Sequence, residues 1–221
     1  MLPQLLPAVI LALVAVAAGG SLAGLSRPIA WWGLGLVSIA LQLLLQRVPV
    51  SAAPWLGDNG HWVWAAAVAS ILLVLLRNWR LQTSRMHQIP WAVAALGVGL
   101  NLLVIVANGG YMPVSSTALG QTGQAAEIAA RSSFRRDLLI DANTRLPELA
   151  DVYAEPAWMP HPVVASIGDR LLTLGLAGWA FVSVYAARRK RLRSDSKGAV
   201  ERSSIHFSSA AGESGLLTRY P

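Results

Sequence analysis

Apolar residues in this chain come in long runs, not in the spaced pattern of an amphipathic helix or the alternating pattern of a half-buried strand. Five runs reach, or nearly reach, the roughly 17 to 25 helical residues that cross about 30 Å of hydrocarbon. They lie near residues 5–25, 29–46, 62–76, 91–107 and 163–187. A segment in lipid must satisfy its own backbone hydrogen bonds, so the pattern predicts an all-α fold, a polytopic membrane bundle of about five transmembrane helices.

Tryptophans mark the ends of these runs, which is typical of the membrane–water interface. The third run is the shortest and depends most on such flanks, Trp62 and Trp79. We therefore interpret the tryptophans near the predicted ends as an interfacial belt and not as a cofactor site: Trp31, Trp32, Trp55, Trp62, Trp79, Trp91 and Trp158.

The first run has a second interpretation as a signal peptide, with Ala15-Val16-Ala17 as a small-residue cleavage site. No Lys or Arg precedes the run, and the run is long for the apolar core of a signal peptide. A retained helix is therefore the favoured interpretation of this segment.

Composition supports a membrane protein, since 54% of the residues are hydrophobic and only 13% are charged. Soluble domains carry about 25% charged residues. The mean hydropathy is +0.49. Cysteine is absent, which excludes disulfides, thiolate metal sites and thiol nucleophiles.

Basic residues set the expected orientation, because short cytoplasmic loops collect Lys and Arg. Residues 188–221 form a basic tail, rich in Ser and Gly, that is predicted to be disordered and cytoplasmic. If the tail is cytoplasmic, Arg27 and the arginines of residues 77–85 are also on the cytoplasmic side. With five spans, the N-terminus is then outside, and residues 108–162 form an external loop. No aromatic residues interleave the basic cluster, so nucleic acid is not an expected partner.

The external loop opens with a helix stop. Asn108, Gly109 and Gly110 can adopt left-handed backbone angles that end the fourth helix, and Met112-Pro113 forces an extended exit. Further along, the pattern of residues 127–140 predicts a short amphipathic helix at the membrane surface.

Polar groups within the helices suggest one candidate site. Asn101 lies six residues from the outer end of the fourth helix, and Asp169 lies six residues into the last. At 1.5 Å per residue both are roughly 9 Å deep, so they are predicted to be neighbours. Gln42 and Ser70 bring polar groups from two further helices into the same leaflet, and Arg170 is the nearest cation.

The alternative is that Asp169 and Arg170 are interfacial residues without a pocket. Arg170 would then extend outward to the headgroups, and Asp169 would lie in the first turns of its helix, where the helix dipole favours an anion. Both interpretations remain open on the sequence.

No residue set specifies a reaction. The histidines lie in different loops and in the tail, without helical spacing between them, so no metal site is predicted: His61, His87, His161 and His206. Nucleotide-binding loops, a G-x-S-x-G elbow and H-E-x-x-H are absent from the sequence, and neither a cofactor nor a catalytic residue is expected.

Several motifs resemble a known family. They are the segment from Asn101 to Ser115, Thr144-Arg145-Leu146, Leu149-Ala150-Asp151 and Ser166-Ile167-Gly168-Asp169. In this order they resemble a bacterial family of small multi-span membrane proteins that is known only as a domain of unknown function. The resemblance implies a multi-pass protein of the bacterial inner membrane, and it implies no activity.

The expected role is therefore binding or scaffolding, through the external loop and the outer-leaflet cluster. The lipid bilayer is the expected partner, together with other membrane subunits or a small ligand. Two alternatives remain open: transport of a small solute or ion through the polar cluster, and a membrane-embedded enzyme that modifies a lipid, with Asp169 as base and Asp151 or His161 assisting.

Overall fold

A computed structural model describes residues 2–26, 28–48, 51, 53–124, 137–159 and 162–186. Five longer helices form a bundle: α1 (Leu2–Ala17), α2 (Trp32–Leu45), α3 (Trp55–Leu81), α4 (Arg85–Ala107) and α6 (Ile167–Ala186). A short helix, α5 (Ser116–Thr122), lies outside the bundle. Helices α3, α4 and α6 are long and apolar enough to cross a membrane, whereas α2 is a shorter apolar helix and α1 has 16 residues.

All five apolar runs contain a helix, with bounds that differ from the predicted ones. Helix α1 ends at Ala17, because Gly19 has a φ of 83° and the chain then turns into a 3-10 helix, Leu22–Ser26. Helix α3 extends the short third run at both ends to 27 residues, so Trp62 and Trp79 lie within it. Helix α6 begins at Ile167, because the preceding Val164–Ala165 pairs as a strand.

The core of the bundle forms where α3 packs against α2 and α4. Trp64, Val98, Val104 and Ile105 are buried there. A second, smaller cluster joins α1 to α6 through Ala12, Ala15, Ala180 and Val184. Both clusters contain alanines, whose small side chains allow the helix backbones to approach closely.

Trp91, one of the tryptophans predicted to form the interfacial belt, is buried in the bundle. Trp91 is only 4% exposed, and its ring lies 5.6 Å from that of Trp179 in α6. It directly follows Pro90 on the face of α4 that packs against α6, so tertiary packing and not the interface determines its environment. The other six predicted members have exposed rings: Trp31, Trp32, Trp55, Trp62, Trp79 and Trp158.

The described parts of the chain between α4 and α6 form a cap, which we define as residues 111–124, 137–159 and 162–166. Strand β1 (Met112–Val114) pairs in parallel with β2 (Asp137–Leu139), and Val114 also bridges to Asp151. Strand β3 (Tyr153–Ala154) pairs antiparallel with β4 (Val164–Ala165), and a 3-10 turn covers Pro147–Leu149. The predicted external loop therefore contains two small sheets as well as α5.

The glycines after α4 form the predicted helix stop. The Gly110 N–H donates to the Ile105 carbonyl and the Gly109 N–H to the Val106 carbonyl, which is the hydrogen-bond pattern of a Schellman motif. The φ angles of Gly109 and Gly110 are 69° and 92°. The Asn108 side chain bonds to both backbone groups of Arg145, at 2.9 Å each, so the same motif ties α4 to the cap.

Some predictions fall partly or wholly outside the described residues. The amphipathic helix predicted for 127–140 is wrong at its end, where Asp137–Leu139 forms β2 because Met112–Val114 offers a strand edge. Residues 127–136 of that predicted helix lie outside the described ranges. The same is true of Arg27, His161 and the tail 188–221.

Acid is expected to loosen the turn at Asp141 in the cap. The Asn143 N–H, and then the Thr144 hydroxyl, bond to this carboxylate and lower its pKa below the ordinary value of 3.8. A lowered folded-state pKa stabilises the turn fully above pH 3.8 and progressively less as the pH falls through the folded value. We expect the Asn143 amide to lose hydrogen-exchange protection in that acidic window. Asp141→Asn should remove the dependence, and an equally steep loss in that variant would contradict the assignment.

Candidate functional site

Asn101 of α4 and Asp169 of α6 form the centre of a small polar network. The Asn101 Nδ2 donates to Asp169 Oδ1 at 2.8 Å, and the Ser166 hydroxyl donates to Asn101 Oδ1, also at 2.8 Å. The two side chains that the sequence predicted to be neighbours are therefore in contact. Ser166 is fully buried, so the network joins two helices in a region that water does not reach freely.

Ser166 and Asp169 also form a capping box at the start of α6. The Asp169 N–H donates to Ser166 Oγ at 2.9 Å, and the Ser166 N–H donates to Asp169 Oδ2 at 3.2 Å. This reciprocal pair satisfies two backbone donors that have no partner within the helix. The carboxylate also lies at the positive end of the helix dipole. Asp169 is therefore a first-turn residue, and the depth counted for it from the sequence was too large because α6 starts later than predicted.

Glycines make the contact between α4 and α6 close enough for this network. A Cβ on Gly168 would meet the Asn101 side chain and would lie 2.6 Å from the Gly97 carbonyl oxygen. A Cβ on Gly97 would meet the Gly168 carbonyl and lie 2.6 Å from the Leu172 nitrogen. The glycine inside the Ser166–Asp169 motif is therefore required by the approach of two backbones.

A cavity of about 200 Å³ lies beside this network, between the bundle and the cap. Helices α2, α3, α4 and α6 form one part of its wall, and the cap closes the other. Asn101 and Asp169 line it, together with two further carboxylates, Asp137 and Asp151, from the cap. Its apolar lining includes Trp64, Val68, Ile71, Val98 and Leu172.

Gln42 of α2 lines the same cavity. Its side chain is only 5% exposed, yet its Nε2 has no hydrogen-bond partner within the described part of the chain. A buried amide without a partner costs about 1–3 kcal/mol, so such a group normally finds one. Of the polar residues predicted around Asn101 and Asp169, Gln42 is the one that lies at the cavity wall.

The other two predicted members lie elsewhere. The Ser70 hydroxyl donates to the Ala66 carbonyl one turn earlier, at 2.9 Å, so its polar group is used within α3. The exposed Arg170 places its guanidinium 4.9 Å from the centre of the Tyr153 ring, a cation–π contact between α6 and the cap. Depth along a helix is readable from sequence, whereas the face that a residue occupies is not.

Three residues of the site were not predicted as members, namely Ser166, Trp64 and Asp137, and Asp151 was named only as an assisting residue in the lipid-modifying alternative. For Ser166 a signal was present, because S-x-x-D before an apolar run is the spacing of a capping box. Asp151 lies in one of the motifs that carry the family resemblance, but nothing local assigns it to a cavity. Asp137 and Trp64 carry no local signal of a site. The pairing of β2 brings Asp137 to the cavity, and the orientation of α3 brings Trp64 there.

The site can offer negative charge and amide hydrogen bonds in a confined space. Within the described ranges, no group of three or more His, Asp or Glu side chains is arranged to hold a metal ion. The histidines contribute nothing to the cavity lining that is described; His61 instead stacks on Tyr111, with ring centres 4.7 Å apart.

Fold and site together define a helical membrane protein with an ordered cap and a carboxylate-lined cavity where the two meet. The chain belongs to the family described as a family of unknown function (DUF5317), whose model matches residues 27–181. That range includes every residue of the network and of the cavity lining. Comparisons with curated proteins and with solved structures find no match.

Proposed function

We propose that this protein binds a small ligand in the cavity between the helical bundle and the cap. The observation that carries the proposal is the Gln42 amide, which is buried at the cavity wall with its Nε2 unpartnered. A ligand with a hydrogen-bond acceptor would satisfy this amide. The cost of burying the amide would then be recovered only in the bound state, as is common for groups that serve binding and not folding.

The packing beneath the cavity favours binding over transport. Helices α4 and α6 meet backbone to backbone at Gly97, and again at Gly175, where a Cβ would lie 2.7 Å from the Pro90 carbonyl oxygen. These contacts leave no space for a solute between the two helices. A path between these two helices would require them to separate, whereas binding at the cap requires no such movement.

In this proposal, the cavity lies on the outer face of a bacterial inner membrane. The cap adjoins the end of α4 and the start of α6, and Gly110 packs on His61 near the start of α3. Arg77, Arg80 and Arg85 lie at the other ends of α3 and α4. Because arginine in short loops favours the cytoplasmic side, this arrangement supports an external cap.

Gln42→Leu is expected to stabilise the unliganded protein and to abolish ligand binding. Leucine has a similar volume and removes the unpartnered amide, so the free energy of unfolding should rise by about 1 kcal/mol. The measurement is unfolding by SDS in mixed micelles, for both proteins after extensive washing. Native mass spectrometry of protein extracted in mild detergent should show a small-molecule adduct on the parent and none on the variant.

Gln88→Leu is a matched control, because the Gln88 Nε2 donates to the Gln82 carbonyl at 2.7 Å. Loss of this bond is expected to lower stability and to leave the adduct unchanged. A Gln42→Leu protein that is less stable than the parent, with no adduct on either, would show that the amide supports the fold and that the proposed function is wrong.

A further inference from the structure

We infer that the ligand is a small neutral molecule with an apolar body and a carbonyl oxygen that accepts a hydrogen bond from Gln42. This inference rests on the proposed function and adds the chemical class of the ligand. Two observations carry it. One is the buried Gln42 Nε2 without a partner, and the other is a cavity wall that is largely apolar and includes no Lys, Arg or His among its described residues.

The Gln42 amide needs an acceptor that its surroundings do not supply. Helix α2 packs against α3, whose residues on the cavity are Trp64, Val68 and Ile71. None of these three side chains carries a hydrogen-bond acceptor. The Gln42 Nε2 also makes no hydrogen bond to the described residues of α4, α6 or the cap. A ligand that satisfies Gln42 must therefore present an acceptor.

Asn101 adds a second amide donor on the α4 side of the same cavity. Its Nδ2 gives one N–H to Asp169, and the described residues accept nothing from the other. The Asn101 oxygen accepts from the Ser166 hydroxyl, so both partners fix the orientation of this amide. The donors on the two sides are thus amide N–H groups, which a carbonyl oxygen complements as it does in the protein backbone.

A carbonyl suits Gln42 better than a hydroxyl does. A carbonyl oxygen has two lone pairs and carries no donor of its own. A hydroxyl would bring a donor next to α3, whose lining side chains offer no acceptor for it. Leaving such a donor without a partner in a buried position is costly.

The charge of the ligand follows from the groups that it would meet. An ammonium ion has no lone pair, so it cannot accept from Gln42. An anion would approach the Asp169 carboxylate, with no cationic side chain among the described lining residues to balance the two charges. Like charges in a partly apolar cavity repel each other more strongly than they do in water. A neutral acceptor avoids both costs.

The size and the wall of the cavity define the rest of the ligand. Val68, Ile71, Val98, Ile105 and Leu172 form an apolar wall from three helices, which would contact a hydrocarbon group. The cavity volume is about 200 Å³. A cavity of about 150 Å³ in another protein takes up benzene, so a ring of that size with one carbonyl oxygen fits here. Small ketones, esters and lactones have this combination of groups.

The test uses cyclohexanone as the probe, with binding to the full chain in nanodiscs measured by calorimetry against empty nanodiscs. Cyclohexanol, cyclohexylammonium and cyclohexanecarboxylate have the same ring and differ in the polar group. We expect cyclohexanone to bind about tenfold more tightly than each of the three, because only the ketone satisfies the amide without adding a donor or a charge. The C=O stretching band of the bound ketone should move to lower frequency, as it does when a carbonyl accepts a hydrogen bond.

Substitutions at Gln42 test the donor directly. Gln42→Leu should weaken cyclohexanone binding by about tenfold and remove the shift of the C=O band, because the N–H donor is lost. Gln42→Glu keeps the shape of the side chain but replaces the amide nitrogen with an acceptor, so it should lose cyclohexanone and gain cyclohexylammonium. Gln88→Leu, which removes an amide that already has a partner, should bind cyclohexanone as the parent does.

Different results separate this inference from the proposed function. Binding of any of the other three probes as tightly as cyclohexanone would overturn the neutral carbonyl assignment. Cyclohexanone binding that Gln42→Leu leaves unchanged, or no cyclohexanone binding at millimolar concentration to the folded parent, would overturn it as well. In each of these cases a native adduct that is lost in Gln42→Leu would still support a ligand cavity. No adduct on the parent and no binding of any probe would overturn both.

Discussion

Alanine in place of Gly168 is expected to destabilise the protein by about 3 kcal/mol, because the added methyl group has no space and its neighbours cannot move aside. It would collide with the Asn101 side chain, which Ser166 and Asp169 hold in place, and would lie 2.6 Å from the Gly97 carbonyl oxygen. Relief would require α4 and α6 to separate. The measurement is the free energy of unfolding in mixed SDS micelles.

Gly178→Ala is the matched control, because this residue also lies in α6 but its added Cβ would be 3.6 Å from the Pro90 ring, an ordinary contact. Its stability should remain within about 1 kcal/mol of the parent, since alanine is also the better helix former. If both variants unfold at the parent's SDS concentration, then α4 and α6 do not approach as closely as described.

Replacing Asp169 by alanine is expected to cost about 2–4 kcal/mol, because two donors lose their acceptor together. The Asn101 Nδ2 and the Ser166 N–H both bond to this carboxylate, in surroundings that offer little water to replace it. The capping box at the start of α6 is lost at the same time. Unfolding in mixed micelles again provides the measurement.

Asp169→Asn should cost much less, about 1 kcal/mol. Rotation of the Asn101 amide by 180° would present its oxygen to the new amide nitrogen and its nitrogen to Ser166 Oγ, so that the network stays connected. The remaining loss is the charge at the helix N-terminus. Asp58→Ala is the control, since this acidic residue in the first turn of α3 is exposed, and it should have little effect. A carboxylate that matters only through its charge would instead make the Asn and Ala variants equally unstable.

These two predictions concern the same contact, and that contact supports both the fold and the proposed site. Asn101 and Asp169 join α4 to α6 and also line the cavity. A variant that disturbs them is therefore expected to alter stability and binding together. Gln42 differs, because it lines the cavity without a hydrogen bond from its Nε2, which is why it separates the two effects.

The contact between Asn101 and Asp169 was predictable from the positions of two polar residues in two apolar runs. Few alternatives exist when a bundle is antiparallel and most of its helical residues are apolar. The position of Asp169 within its helix was nevertheless wrong, since residues before Ser166 belong to β4 and to the cap. The prediction succeeded because Asn101 lies at the level of the first turn of α6 and not of its second.

Ser70 and Arg170 show why the rest of the cluster was not predictable. Both lie near the expected level, but Ser70 bonds within α3 and Arg170 extends over Tyr153. Each successive residue of a helix is rotated by about 100° around the helix axis. An error of one or two residues therefore changes the depth of a side chain along the axis only slightly, but it moves that side chain to another face of the helix. The tryptophan at position 91 was misplaced for the same reason.

Hydrophobic run length and backbone conformation are local properties, so the presence of the helices, the stop at Gly109 and Gly110, and the family resemblance could be predicted before the fold was known. That Asp137 and Asp151 from the cap line one cavity with Asp169 could be learned only from the folded chain. Those residues are far apart in the chain, and strand pairing and helix rotation bring them together. Both depend on contacts among many residues at once, which no local pattern records.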